Sequence, residues 1–407
     1  MRRVVVTKNT ENWVEIRSRV KTFLEEKIYP AEPVLQGNDR TAANLAMADL
    51  IEQAKAAGLW ALGHPKEIGG QGMPFMEYVY INEVVGRSEY AQTVFGTLSH
   101  QDSIMLNLYA SEKWKAEYLG PLVNGDIYPS FAMTEPDIAS SDPTQLQTRA
   151  ELEDGHWVIN GRKWFTTGAD QAAYTTIMCR TEPDAPPHKA FSMIVVPTNT
   201  RGYNILRDTP VLGLNTGHFE VAYDNIRVPE DHLLGRRGEG FLIAQKRLGP
   251  GRIFHCMRWL GQAQRAFDLM CERLHERSAF GGSLADKQLM QKHVFDSLSE
   301  ISACRQLTLQ AARRIDSGDP ARVEIGVIKV VGAQMLHNVI DRAIQVFGAK
   351  GLTDDTPLSR MYRHAREGRI YDGPDEVHVQ SVARQILKRY LDGGPGWDFG
   401  ERDSELV

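Results

Sequence analysis

Asp154-Gly155-His156-Trp157-Val158-Ile159-Asn160-Gly161 decides the fold class, because two turn-prone pairs bracket a short β-prone run. Asp-Gly and Asn-Gly tolerate the positive φ angles that tight hairpin turns demand. The stretch therefore predicts a strand over Trp157-Val158-Ile159 with a hairpin turn on each side. Outward from it, further β-prone runs at 174–178, 191–196, 203–206 and 219–223 are separated by turn residues. An all-β module is expected over 129–243.

Both flanks read as helical. In 1–128, Trp13, Ile16, Val20, Phe23 and Leu24 recur at helical spacing, with Pro30 as the expected stop. A second helical run, 42–57, ends at Gly58; a glycine-punctuated loop covers 63–72, helices resume near Met76, and 113–122 forms a shorter one. In 244–394, Val294, Leu298 and Ile301 form a helical stripe and Gly318-Asp319-Pro320 breaks the run. A long segment, 323–347, stops at Gly348, and a last helix spans 377–391. Residues 395–407 read as a loosely held tail. The expectation is a mainly α protein with a central β-domain.

A chain of 407 residues is long enough for two or three packed units. A net charge of -5 gives no ground for nucleic acid or an anionic membrane as a global partner. Cys179, Cys256, Cys271 and Cys304 are widely spaced and suit a reducing compartment as small apolar groups. The apolar run at 4–6 is too short for a signal-peptide core, no segment reads as a membrane span, and Glu405-Leu406-Val407 is no peroxisomal address. A cytoplasmic location is the default expectation.

Six segments carry chemistry-bearing residues. Phe131 to Asp142 enters the β-module as a small-residue loop offering hydroxyls and backbone N–H groups to a phosphate or ring edge. Asn160 to Gly168 brings Trp164, Phe165, Thr166 and Thr167, aromatics and hydroxyls suited to a planar ring. Leu248-Gly249-Pro250-Gly251-Arg252 reads as a helix start, where an Arg in the first turn opposes the dipole and points to an acidic partner. Glu276 to Gly281 with Gln288, and Gln345 to Gly351, are the fourth and fifth. The sixth is Tyr371-Asp372-Gly373-Pro374-Asp375-Glu376-Val377-His378. Each alone has a plainer reading as a cap, turn or core contact. Metal spacing, a Walker loop, a nucleophile elbow and a Rossmann glycine pattern are all missing from the sequence.

In this order and spacing, the six segments resemble the acyl-CoA dehydrogenase family over about residues 10–391. The Met-Thr-Glu-Pro-Asp loop, the Leu-Gly-Pro-Gly-Arg-Ile stretch and the Asp-Gly-Pro-Asp-Glu-Val-His turn are most similar to the animal subgroup with a kinase-like domain ahead of the dehydrogenase. That resemblance implies an N-terminal helical domain, a middle β-barrel-like domain and a C-terminal four-helix bundle. It also implies FAD as cofactor, an acyl-CoA thioester as substrate, an electron-transfer flavoprotein as acceptor, and a homodimer or homotetramer.

Carried over by position, Asp372 is the base that takes the α-proton. Phe131, Met133 and Thr134 would contact the flavin, with Ser140 or Ser141 at the phosphates of FAD or CoA. Phe165 would lie on the ring (Trp164 if the register slips by one) and Thr167 near N5. Arg277, Phe280 and Gln288 would hold the adenine half, with Gln345, Gly348 and Ala349 reaching it from a partner subunit. Pro374, Asp375 and Glu376 would border the flavin. Gly251, Arg252, Tyr371 and Gly373 would border the substrate.

Two departures stand out. Most members have Glu where this chain has Asp372, and the alternative base position on the helix is Gly251, which has no side chain. Expelling water is expected to raise the base's proton affinity. A flavin oxidase using O₂ on acyl-CoA or nitroalkanes is the rival, and a flavin-free scaffold the non-enzyme alternative.

Overall fold

Pro30 does not end the first helix. The structure, a computed structural model, describes residues 12–394 and 396–404; the run at 4–6 and the last three residues, which bear on location, lie outside the described residues. Asn12 caps α1 (Trp13–Phe23) by accepting from the Val14 N–H at 3.2 Å. The chain then widens into a π-turn (Leu24–Ile28) and continues as α2 (Tyr29–Leu35). Proline lacks an N–H and its ring crowds the preceding turn; the wider turn, closed by Tyr29 N–H on the Leu24 carbonyl, makes room for it. After it come α3 (Arg40–Ala56), α4 (Phe75–Val85), α5 (Ala91–Val94), α6 (His100–Tyr109), α7 (Glu112–Trp114) and α8 (Gly120–Asn124).

The middle of the chain supplies β1 (Tyr128–Ala132), β2 (Arg149–Glu153), β3 (His156–Thr167), β4 (Ala172–Arg180), β5 (Phe191–Pro197), β6 (Tyr203–Asp208), β7 (His218–Pro229) and β8 (Leu233–Leu234). They form one eight-stranded sheet in the order β6-β7-β3-β2-β4-β5-β8, with β1 parallel to β4. A single pair, Arg149 with Arg180, joins the β2 and β4 sides. The sheet folds over a core shared by Trp157, Ile159, Ile177, Ile194, Val221 and Ile226. The other face of β5, with Phe191, Met193 and Val195, packs on α6–α8. Alternate side chains point to opposite faces, so β5 is buried on both.

One predicted turn is present and the other is not. Asp154 (φ 49°) and Gly155 (φ 73°) close the β2–β3 hairpin over the pair Glu153–His156. At Asn160-Gly161 β3 runs straight on, and the register against β7 shifts instead. A Cβ at Gly161 would lie 2.5 Å from Thr148 Oγ1, so the glycine serves a bulge with close approach.

Helices resume with α9 (Gly240–Glu276), followed by a short hairpin of β9 (Ser278–Ala279) and β10 (Gly282–Ser283). Then come α10 (Gln288–Asp316), α11 (Arg322–Phe347), α12 (Leu358–Glu367), α13 (Asp375–Lys388) and α14 (Phe399–Ser404). α11 is the centre of a four-helix bundle with α9, α10 and α13. It is long and apolar enough to cross a membrane, contrary to the expectation that no segment would be. Its apolar residues, among them Ile328, Leu336, Val339 and Ile340, are buried against the other helices, which accounts for that composition. The described part of the tail, 396–404, is also held: Arg402 pairs with the buried Glu324 of α11 and stacks on Trp397 at 4.1 Å.

N-terminal and C-terminal helices share one continuous core, from Val20 and Val84 to Met257 and Leu336. Two glycines make this possible. A Cβ at Gly86 would lie 2.2 Å from the Arg258 carbonyl, and one at Gly261 would lie 2.0 Å from the Glu83 carbonyl. Backbone cannot yield as a flexible side chain can, so α4 lies on α9 only while both stay glycine. Gly261→Ala is expected to lower stability by about 1–3 kcal/mol. Gly120→Ala, where nothing lies within 4 Å, should raise it by about 0.5–1 kcal/mol. Chemical denaturation of both variants checks the pair.

α12 is tied to the loop after α4 by His364, whose Nε2 is 3.1 Å from Glu89 and whose Nδ1 is 3.3 Å from Glu367. Burial disfavours the imidazolium, but the two carboxylates outweigh it and raise its pKa to about 9. A raised folded-state value means this stabilisation is complete below about pH 6.5, the unfolded value, and disappears as pH climbs through 9. Unfolding free energy should therefore fall by up to about 3 kcal/mol between pH 6.5 and 9. A pH series comparing the parent with His364→Gln should show that slope only in the parent.

Candidate active site

α9 does not start at Pro250. It runs unbroken from Gly240, so Arg252 sits in its third or fourth turn and the first-turn argument for an acidic ligand falls. Along one face of this helix, Arg247, His255, Arg258, Gln262 and Arg265 follow each other at helical spacing and line a cavity of about 1960 Å³. That exceeds the ~300–1,000 Å³ typical of a pocket for one small ligand. Its other walls come from α2–α3, the 131–141 loop, the end of β3, α12 and the turn before α13.

That turn carries Asp372. Asp372 (φ 54°) and Gly373 (φ 96°) are both left-handed, a conformation costing a non-glycine residue about 1 kcal/mol or more. Cations and a histidine hold it there. Arg252 donates to the Asp372 carbonyl at 3.1 and 3.3 Å, and His378 Nε2 lies 3.0 Å from the same oxygen. The fully buried Lys329 of α11 donates to the carbonyls of Gly368 (2.6 Å) and Gly373 (3.2 Å). Trp259 Nε1 donates to the Tyr371 hydroxyl at 2.9 Å.

The Asp372 carboxylate meets His255 Nε2 at 3.3 Å. Burial pushes its pKa up, but His255, Arg252 and Arg247 push harder, and the group lies well below the usual carboxylate range. The expected upward shift is thus reversed, because water is replaced by cations rather than by apolar groups. Gly251 offers no rival base: the place of its Cβ is taken by the Gln101 amide, 2.2 Å away.

On the opposite wall, Phe131, Met133, Thr134, Ser140 and Ser141 line the cavity with Trp164, Phe165 and Thr167. A buried ion pair fixes this loop. Lys163 Nζ lies 2.9 Å from Glu135 and 2.8 Å from the Met133 carbonyl, and Glu135 also accepts the Gln147 and Thr148 N–H groups at 2.8 Å. Burial raises the Glu135 pKa less than Lys163 and these donors lower it, so the carboxylate stays ionised. The Ser140 hydroxyl is engaged within the loop, accepting the Glu135 N–H at 2.9 Å. Arg247, paired with Asp102 at 2.9 Å, lies 4.5 Å over the Phe131 ring.

β3 changes parity between Lys163 and Thr166, and Phe165 takes φ 51°. Both Trp164 and Phe165 consequently reach the cavity, 4.8 Å apart. Thr167 is already bonded to His218 Nδ1 at 2.9 Å, whereas Trp164 Nε1 and Thr216 Oγ1, both of residues on the wall, are buried without a partner among the described residues. Unpaired buried polar atoms are costly, and together with the aromatic pair they fit a planar, heteroatom-rich ring such as flavin.

Other expected site residues lie elsewhere. Tyr371, Gly373 and Pro374 line the cavity with Asp372 and Arg252. Asp375 instead pairs with Arg369 at 2.7 Å, Glu376 is exposed, and neither they nor Gly251 are on the wall, where Val377 and His378 stand. Arg277, Phe280, Gln288, Gln345, Gly348 and Ala349 are all exposed and outside this cavity; Phe280 is 98% exposed at the β9–β10 tip. Arg247, His255 and Arg258 are site residues that motif reading missed.

Comparison with known proteins places these features. Family models match in order: acyl-CoA dehydrogenase N-terminal domain over residues 10–126, middle domain over 130–226 and C-terminal domain over 238–387. The chain is 42% identical over 391 residues to "Probable acyl-CoA dehydrogenase FadE2" of Mycobacterium tuberculosis, covering 92% of this chain and 95% of that one. It is also 42% identical over 384 residues to acyl-CoA dehydrogenase family member 10 of Mus musculus, covering 90% of this chain and 36% of the mouse protein. A solved chain from Mycobacterium abscessus, assigned as an acyl-CoA dehydrogenase, shares 36% identity with a TM-score of 0.89, covering 93% of this chain and 98% of that one. The chain belongs to the acyl-CoA dehydrogenase family, whose members are FAD-binding oxidoreductases.

Proposed function

We propose that this enzyme removes the α-proton and β-hydride of a saturated acyl-CoA thioester to give the 2-enoyl-CoA, with Asp372 as the base. One observation carries the reading. Among the described carboxylates on the cavity wall, Glu32, Glu52, Glu89, Asp102, Glu135 and Glu367 are tied into ion pairs, while Asp126 and Asp170 are solvent-exposed. Asp372 is partly buried, ionised and met by His255, whose proton affinity burial and Arg258 lower, whereas Glu367, the other wall carboxylate met by a histidine, faces His364, whose pKa is raised to about 9.

Asp372 accepts the α-proton as its C–H electron pair moves into the thioester. The Asp372 N–H donates to no backbone carbonyl among the described residues, which leaves it free for the thioester oxygen as charge develops there. Trp164, Phe165, Met133 and Thr134 would hold the ring of FAD, which when bound would supply the acceptor for the β-hydride. Arg252 acts on the turn rather than on substrate, through its two bonds to the Asp372 carbonyl. The electrons pass to an electron-transfer flavoprotein. A second copy of the chain supplies Gln345, Gly348 and Ala349, which with Arg277, Phe280 and Gln288 complete the nucleotide site.

Asp372→Asn should retain the yellow flavin and acyl-CoA binding, while anaerobic flavin bleaching by acyl-CoA slows by about 10²–10⁴-fold. Bleaching at near the parent rate would remove Asp372 as the base. A panel of acyl-CoA thioesters scored the same way identifies the substrate. Reoxidation by O₂ as fast as by an electron-transfer flavoprotein would favour the oxidase instead. Because Asp372 lies below the usual carboxylate range, the acid limb of kcat/KM should fall below ~pH 4 rather than near neutrality.

A further inference from the structure

His255 stands between Asp372 and a buried arginine. Its Nε2 is 3.3 Å from Asp372 Oδ2, and its Nδ1 is 3.0 Å from Arg258 Nη2. Arginine carries donors and no acceptor, so Nδ1 is the lone-pair nitrogen and Nε2 bears the proton. Arg258 is itself fixed. Its Nη1 donates to Asn82 Oδ1 at 3.2 Å, and Asn82 Nδ2 donates to the Tyr78 carbonyl at 2.9 Å, which sets the amide's orientation. The Arg258 backbone lies under Gly86, where a Cβ would come within 2.2 Å of its carbonyl.

The surroundings of the ring weigh toward its neutral form. Arg258 faces it from α9 and Lys329 from α11; Arg252 and Arg247 act on the Asp372 carboxylate beyond it, with His378 of α13 near that turn and Tyr78 of α4 near Arg258. The negative group facing it is Asp372, beside Tyr371, on the turn. Burial and Arg258 lower its proton affinity, and Asp372 does not restore it.

Resting on the reading of Asp372 as base, we infer that His255 is a positioning residue: a neutral Nε2–H donor, locked in that tautomer by the Asn82–Arg258 pair, that fixes one carboxylate oxygen of Asp372 and leaves the other for the α-proton. An aspartate's terminal torsion is broad and roughly two-fold, and the His255 contact removes that freedom. The ring is no proton relay. Accepting a second proton requires Nδ1, which Arg258 covers, so the abstracted proton remains on Asp372 until product leaves.

The FAD-loaded enzyme tests this through the pH dependence of anaerobic flavin reduction by an acyl-CoA. His255→Leu should keep its FAD, lose about 10–100-fold in reduction rate with little change in KM, and move the acid limb to higher pH because the carboxylate has lost a donor. His255→Gln, whose amide can donate to the same oxygen, should recover most of the rate. Arg258→Met should free Nδ1 and add a new ionisation near the ordinary histidine value, ~6.5, which the double variant Arg258→Met/His255→Gln abolishes. The inference is overturned if His255→Leu keeps the parent rate and acid limb. It is equally overturned if the parent profile already holds an ionisation that His255→Gln removes. Should His255→Leu fail to fold, the Gln and Met variants decide alone. Failure of the base reading is distinct: it shows as near-parent reduction by Asp372→Asn, whatever His255 does.

Discussion

α4 can lie directly on α9 because Gly86 and Gly261 put backbone against backbone, and the geometry of the candidate site is built on that crossing. It merges the N-terminal and C-terminal helices into one core, so the cavity walls are not separately folded parts meeting at a loose interface. It also brings Asn82 of α4 within reach of Arg258 on α9. From there the contacts run without a gap through His255 to Asp372. A shift of the crossing by an ångström would break a hydrogen bond at each step, since such bonds weaken steeply with distance and angle.

The turn at Asp372 shows why so much charge surrounds one residue. Left-handed backbone at an aspartate persists only when its surroundings over-determine it. Arg252, His378 and Lys329 do so by bonding the carbonyls of Asp372 and Gly373 from three different helices. Lys329 and Arg252 thereby use polar atoms that burial would otherwise leave unpaired, and their field keeps the neighbouring carboxylate ionised. Structure and electrostatics are thus set by the same side chains.

Much of this was legible in the sequence, and the misreadings have definite causes. The Asp154-Gly155 hairpin and the break at Gly318-Asp319-Pro320 are local signals, and local geometry settles them. Asn160-Gly161 carries the same turn chemistry, but there the glycine meets Thr148 on β2's approach, a contact distant in sequence. Pro30 and Pro250 were read as helix punctuation; a π-turn accommodates the first, and tertiary packing of α9 overrides the second. Placing a helix start at Pro250 cut the stripe Arg247, His255, Arg258, Gln262 in two and hid it. Polar residues recurring at helical spacing along this helix were the available signal. Ring contacts at Trp164 and Phe165 turn on a bulge that no alternation rule foresees. The residues around Phe280 and Gly348 are exposed and outside the cavity of one folded copy, so the roles proposed for them rest on a second chain.

A carboxylate held ionised by its neighbours is a weak base, which looks self-defeating for removing a thioester's α-proton. The balance is different once the whole cavity is counted. In the proposed reaction, proton transfer creates no new charge there: as Asp372 is neutralised, an equal negative charge develops on the thioester. Arg247, Arg252 and Lys329 lower the energy of the carboxylate, and the same field acts on the enolate that replaces it. What the cations subtract from basicity they return as stabilisation of the product of the step, provided the charge moves only a short way. In a low-dielectric site a displacement of a few ångströms changes such interactions by only a fraction of their size. A short acid on a rigid turn, fixed by His255, keeps that displacement small. Placement, more than proton affinity, is what this site is built to supply.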